Sequence, residues 1–490
     1  MFRVGVRECM PNDWKPRLSR PWVVRGVVLL LVASLLAPSA VSALTYESSD
    51  TDLQRGTIED PANGTTVISI QGFKFAGQSN GKKPARLVGV GPRGEVEWIH
   101  NGSDNDVTWF YDVDPLDNGN LLVTGTETGG SSVYEYDPDN DEIVWYEYFD
   151  GVLDTHDATL INNKSEILVA NMRNFNTSTE DSEDRIFVYD REQGEITWEW
   201  HFDEHTNWTE DMGGTYEAEP PNNDWTHVND VEKIADGQYL ISPRNMDQVL
   251  VVNRSTKDVD MRLGEDDNYD IMHEQHNPDF HRSENGTATI TVADSENDRI
   301  VEYENPDGDL TDGDGWQKTW ELGSSQDFNW PRDADRLPNG NTLVTDSNNQ
   351  RVIEVTPEGE IVWEFYAPWA PYDSARVYLD EESDGPTIAD QNAEGEYDVT
   401  GSAGLTPGAG DQLTFSQWVS ASFAGTPVAN QADWVANRWS KIAPWIRPVW
   451  MGPWEFVGVV VATLLVVGWL LSELVYQRRR IASGVKSRFA

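Results

Sequence analysis

A single cysteine, Cys9, stands ahead of the first apolar segment, so no disulfide framework can staple this 490-residue chain and its fold must rest on a packed core. Basic residues are scarce as well: 36 Lys and Arg face 84 Asp and Glu, for a formal net charge of −48. Without a basic face to neutralise phosphates, nucleic acid is excluded as a partner. Disorder is excluded too, because 21 Trp and ample Val and Ile supply a large core. Acidity spread over a folded domain reads as a surface solvated for high salt, a halophilic form.

What the chain does have is a repeat. Gly94-Glu95-Val96-Glu97-Trp98, Glu142-Ile143-Val144-Trp145, Gly194-Glu195-Ile196-Thr197-Trp198 and Gly359-Glu360-Ile361-Val362-Trp363 match one another. Lys257-Asp258-Val259-Asp260-Met261 and Gln317-Lys318-Thr319-Trp320 are degenerate copies, so closings fall at 98, 145, 198, 261, 320 and 363. Periods of roughly 40 to 50 residues made of short strands are those of propeller blades. The cleanest unit, Asn329 to Phe365, alternates β-rich runs with turns at Pro338-Asn339-Gly340-Asn341, Asp346-Ser347-Asn348-Asn349 and Pro357-Glu358-Gly359. Six closings predict an all-β, six-bladed β-propeller over residues 46–370.

Apolar segments bracket that domain. The first, about Val27 to Ala43, follows Arg17, Arg20 and Arg25 and ends in a signal-peptidase-like Ala-Pro-Ser-Ala-Val-Ser-Ala, so residues 1–45 read as a signal or an anchor. The second predicts a C-terminal transmembrane helix over 454–476, close to the ~20 residues a bilayer requires. Arg478, Arg479, Arg480, Lys486 and Arg488 follow it and place the 477–490 tail in the cytoplasm, with the propeller outside the cell membrane. Sequons at Asn63, Asn101, Asn163, Asn176, Asn207, Asn253 and Asn285 fit an exported glycoprotein. Residues 371–450 form an acidic, Gly-rich linker and then a segment with Trp418, Trp434, Trp439, Trp445 and Trp450. That segment suits either the headgroup interface or a helix packed on the propeller.

Histidine is rare, at eight residues, yet three occupy the same place in successive repeats: Thr155-His156-Asp157, Thr226-His227-Val228-Asn229 and Gln275-His276-Asn277. In a propeller the first strand of each blade lines the central channel, and the loops leading into those strands converge on one mouth. His156, His227 and His276 should therefore meet, while the next repeat carries Asn329-Trp330-Pro331-Arg332-Asp333 instead. Three histidines suit zinc, but Arg244 nearby would repel a cation, so no metal and no cofactor is expected.

Asp224-Trp225-Thr226-His227-Val228-Asn229, then Leu240-Ile241-Ser242-Pro243-Arg244-Asn245, then Gln275-His276, resembles the arylsulfate sulfotransferases, six-bladed propellers, over about residues 90 to 370. The resemblance implies sulfuryl transfer from a phenolic sulfate donor to a phenol acceptor through a sulfohistidine, without a nucleotide sulfate. It makes His276 the nucleophile, gives His227, Asn229 and Arg244 the sulfate oxygens, and leaves His156 as the remaining channel histidine. An imidazole nitrogen is a competent nucleophile, and the planar guanidinium fork suits sulfate oxygens. At this acidity, activity is expected to rise with salt, because screening lets an anionic ester approach. The alternative is a non-catalytic surface propeller that binds an anion, a glycan or a protein.

Overall fold

The computed structural model describes residues 20–45, 53–72, 85–102, 106–205, 208–216, 223–308, 310, 315–377, 385–405, 413–448 and 450–488. Sequon Asn207, part of the acidic Gly-rich stretch and the first 19 residues lie outside them. The chain divides into two units: Ser48–Val449, and Met1–Glu47 with Trp450–Ala490.

The larger unit is a six-bladed β-propeller. Blade 2 is the plain case, an antiparallel meander of Trp109–Pro115, Leu121–Glu127, Gly130–Asp137 and Glu142–Asp150. Blade 3 begins at Ala158–Ile161, blade 4 at Val228–Ala235, blade 5 at His276–Arg282 and blade 6 at Pro331–Arg336. All six closing motifs fall in the outermost meander strands, such as Glu195–His201 and Ile361–Tyr366. The turn at Asn339-Gly340 uses glycine as expected, with φ +89° at Gly340.

The ring is closed by exchange between its ends. Blade 1 holds Thr66–Ile70, Arg86–Val90 and Val96–Asn101, but its innermost strand is Pro371–Arg376, from the far end of the domain and just past residue 370. Blade 6 in turn gains an outer strand, Gln54–Ile58, from the beginning. An apolar cluster fills each gap between neighbouring blades. Trp200, Trp225 and Ile241 pack between blades 3 and 4, and Leu343, Trp363 and Val88 between 6 and 1. Burial of such side chains contributes on the order of 1.5–3 kcal/mol each, so the core does what disulfides would do in a smaller domain.

After the propeller come helices α2, Phe415–Phe423, and α3, Ala429–Ile446. A capping box on Thr414 and Gln417 starts α2. In the second unit, α1 (Arg20–Thr45) and α4 (Pro453–Arg488) lie antiparallel: Arg25 grips Glu473 with two 2.8 Å hydrogen bonds near one end, and Ser42 donates to Glu455 at 2.7 Å near the other. Both are long and apolar enough to cross a membrane, over Pro21–Thr45 and Pro453–Arg478.

Candidate active site

The loops before the innermost strands of blades 3, 4 and 5 deliver His156, His227 and His276 to one place, all buried. The His156 and His227 rings lie 4.9 Å apart edge to face. Tyr372, on the strand that closes blade 1, sits between them and the third histidine, with ring centroids 5.3 Å from His156 and 5.9 Å from His276. Tyr111 of blade 2 stacks on His156 at 3.8 Å. Two residues at these mouths, His227 (φ +47°) and Trp330 (φ +59°), hold the left-handed backbone, which a bulky side chain such as that of Trp330 seldom adopts. Such strain persists only where surrounding structure over-determines it.

Each imidazole is fixed in the same tautomer. The Ser295 hydroxyl donates its one proton to the Pro331 carbonyl at 2.6 Å, so it accepts the Nδ1–H of His276 at 2.8 Å. His227 Nδ1 donates to the Asp224 carboxylate at 2.7 Å, and His156 Nδ1 to the Asp154 carbonyl at 2.7 Å. Nε2 of both His227 and His276 is therefore an unprotonated nitrogen, buried and without a partner among the described residues. Arg173 bridges the supports, 3.2 Å from Asp154 and 3.3 Å from Asp224.

Electrostatics keep the rings neutral. Burial, then the guanidiniums of Arg332 and Arg244, push His276 well below the ordinary histidine range. Burial and Arg244 lower His227, and burial and His227 lower His156. Burial alone would raise Asp224, but His227 and Arg173 hold its carboxyl well below the usual range. The His227–Asp224 pair is thus a neutral base backed by a carboxylate able to stabilise the imidazolium when a proton arrives.

Two arginines supply positive charge. Arg244 follows the second strand of blade 4, held by the Asn245 side chain at 2.8 Å and facing Glu274 at 3.4 Å. Arg332 was missed from the sequence because blade 6 lacks the histidine, although the repeat register places it at the same mouth. It is 4 % exposed, donates to Gln71 at 2.6 Å and lies over Trp330 at 4.1 Å and Tyr372 at 4.9 Å. Among the described residues it has no ion-pair partner, and its Nε has no hydrogen-bond acceptor. Burial lowers it to about 10, still charged at neutral pH. A buried cation with a spare donor calls for an anion. The unpartnered hydroxyl of buried Tyr372 points to a second acceptor.

Asn229 is wholly buried beside the trio, with its amide nitrogen donating to the Gln275 carbonyl at 2.8 Å and its Oδ1 unpartnered. It ties the His227 strand to the turn that carries His276. The other five histidines stay apart. His205 stacks on Trp200, His100 packs among Tyr134 and Tyr136, His201 meets Glu199 and His281 lies between Asp279 and Glu302. His273 stacks on Tyr269 at 3.9 Å and, with Glu274, Arg244, Asp224 and Gly213, lines a cavity of about 220 Å³ beside the trio.

The model of the arylsulfotransferase (ASST) family matches residues 146–367. The matched region spans blades 3 to 6 and contains His156, His227, Asn229, Arg244, His276 and Arg332. Tyr111, Tyr372 and Gln71 reach the site from outside it. No curated protein matches the chain at a significant level. Solved structures similar to the chain include a Bacteroides caccae protein of unknown function, 11% identical over 64% of this chain and 98% of that one, with a TM-score of 0.41. A Lactobacillus plantarum protein is 10% identical over 64% and 98%, with a TM-score of 0.40. A catalytically inactive virginiamycin B lyase from Staphylococcus aureus, solved with quinupristin, is 12% identical over 54% and 72%, with a TM-score of 0.32.

Proposed function

We propose that the mouth of the propeller transfers a sulfuryl group from a phenolic sulfate ester to a phenol by way of His276. The observation that carries this reading is the Nε2 of His276, deprotonated because Ser295 takes its Nδ1–H, and buried beside two guanidiniums. Nε2 attacks sulfur, an N–S bond forms and the S–O bond to the aryl group breaks. Arg332 and Arg244 balance the sulfate oxygens, whose charge spreads in a loose transition state as in phosphoryl transfer. His227, protonated as the anionic ester binds, hands its proton from Nε2 to the leaving phenoxide. In the second half the acceptor phenol returns a proton to His227 and its oxygen takes the sulfuryl group from His276. The atoms and charges balance without a nucleotide sulfate. Asn229 acts here as a positioning residue, and His156 with Tyr372 completes the wall.

The cell membrane is the proposed location. Arg25 and Glu473 on α1 and α4 satisfy one another, which favours a retained first helix over a cleaved signal. The arginines after Tyr476 put the C-terminus in the cytoplasm and the propeller outside.

Purified protein at high salt, given a chromogenic aryl sulfate with and without a phenol, tests the reading beside His276→Ala. Phenol-dependent release that disappears in the variant supports it. No turnover across varied donors moves the assignment to a surface propeller that holds an anion at the same guanidiniums.

A further inference from the structure

α3 covers the site. Trp445 meets Trp330 edge to face at 6.1 Å and Trp369 at 6.3 Å, and Trp330 in turn lies 6.1 Å from His276. The Arg332 guanidinium is 5.9 Å from the Trp445 ring. Lys441 fixes the helix to the rim through Asp298 at 2.9 Å and Glu296 at 3.7 Å, and Asn329 donates to the Ser440 carbonyl at 3.4 Å. One aromatic layer therefore separates the nucleophile from this helix.

Among the described residues α3 also carries exposed apolar side chains: Val435 (44 %), Ile442 (50 %) and Ile446 (57 %) share one stripe at i, i+7 and i+11, and Trp434 (64 %) flanks it near the start of the helix. Two observations name what covers it. First, acidity lapses here: in a chain of net charge −48, the stretch from 415 to 447 carries one acid, Asp433, and exposes Arg438, while Lys441 is spent on the propeller rim. Tryptophan beside cations suits anionic headgroups. Second, only six residues separate Ile446 from Pro453, where the apolar span of α4 begins. Fully extended, they reach roughly 25 Å, so α3 cannot stray far from the lipid surface that α4 enters.

We propose that α3 seats its Trp434–Ile446 face in the outer surface of the bilayer, so that the histidine mouth opens toward lipid and takes as acceptor a phenol carrying an apolar tail. The seat stands on the exposed face and its charge; the acceptor class rests on the sulfotransferase reading above. A tail partitioned into the bilayer raises the local concentration of its phenol at this mouth, where Trp445, Trp330 and Trp369 present an aromatic surface.

The full chain in nanodiscs of mixed zwitterionic and anionic lipid tests this. In a Cys9→Ser background, bimane is attached at Trp434→Cys, at Ile442→Cys and, as a control on the propeller rim, at Ile196→Cys. Brominated phosphatidylcholine should quench most of the emission at 434 and 442 and leave 196 bright. Equal emission at all three sites, or quenching only by a nitroxide-labelled second copy of the chain, would overturn the lipid seat. In the second arm, KM for para-alkylphenols should fall as the alkyl tail lengthens. Trp434→Ser with Ile442→Ser should abolish that dependence while turnover of unsubstituted phenol is retained. A KM indifferent to tail length overturns the acceptor class alone. Absence of turnover with every phenol overturns the acceptor class together with the sulfotransferase reading, and the quenching result decides the seat independently.

Discussion

Asp224→Asn separates the catalytic account from a structural one. The Asp224 carboxylate accepts the His227 Nδ1–H at 2.7 Å and meets Arg173 at 3.3 Å. An asparagine keeps the shape and an acceptor oxygen but loses the charge that stabilises His227 once protonated. A hydrogen bond to a charged group contributes about 1.5–3 kcal/mol, and about 1.4 kcal/mol is tenfold in rate. Because His227 takes up its proton as the ester binds, kcat/KM should fall roughly ten- to 150-fold. The loss should be greatest for donors with poor leaving groups, which need the proton most, and small for nitrophenyl sulfate. Steady-state kinetics on a series of aryl sulfates, with thermal melting to verify the fold, is the assay. A uniform loss across leaving groups, or kcat/KM within about twofold of the parent for all of them, would refute the role assigned to the pair.

Arg332→Met should leave the propeller folded, since it exchanges a buried unpaired charge for an apolar chain of similar length, yet lower kcat/KM by roughly 10²–10³; unchanged kinetics would remove Arg332 from the site. Because burial and two guanidiniums depress His276, its nucleophilic form survives as pH falls through the ordinary histidine range near 6.5, so kcat/KM for the first half-reaction should not decline there and should drop only at lower pH. A decline that sets in near 6.5 would contradict this. Deeper in the channel, burial raises Asp157 to about 7 and Asp373 to about 8. Folded carboxyls then hold protons that the unfolded chain has lost, so their contribution is complete below about pH 4 and is lost as pH rises to about 8. The melting temperature should decline over that window, and Asp373→Asn should flatten the decline; a melting temperature that rises across it would reverse the assignment.

The repeat was legible because the closing strands are read locally: Glu142-Ile143-Val144-Trp145 and its copies state their period in the sequence. From that register the meeting of His156, His227 and His276 followed, since each sits one or two places before, or at the head of, an innermost strand. What remained hidden depends on contacts distant in the chain. Tyr372 belongs to blade 1 only because the last strand closes the ring, and nothing local to Pro371–Arg376 announces a blade whose other strands lie some 270–310 residues earlier. Ser295 and Asp224 set the tautomers through side chains on turns that look like ordinary polar punctuation. Arg332 stood in plain register but broke the histidine pattern, so the pattern concealed it. For the Trp-rich segment, composition allowed either a headgroup or a propeller partner. Trp445 and Lys441 pack on the propeller, whereas Trp434, Ile442 and Ile446 are exposed, and it is these that we propose for lipid.

The central claim is the covalent step. Mixing the protein with an aryl sulfate in the absence of acceptor, quenching in alkali and mapping peptides by mass spectrometry should find one added sulfuryl group on His276. The modification should form in a burst equal to the enzyme present and vanish on adding phenol. An unmodified His276 during turnover, or a sulfuryl group on His227 or His156 instead, would contradict the account.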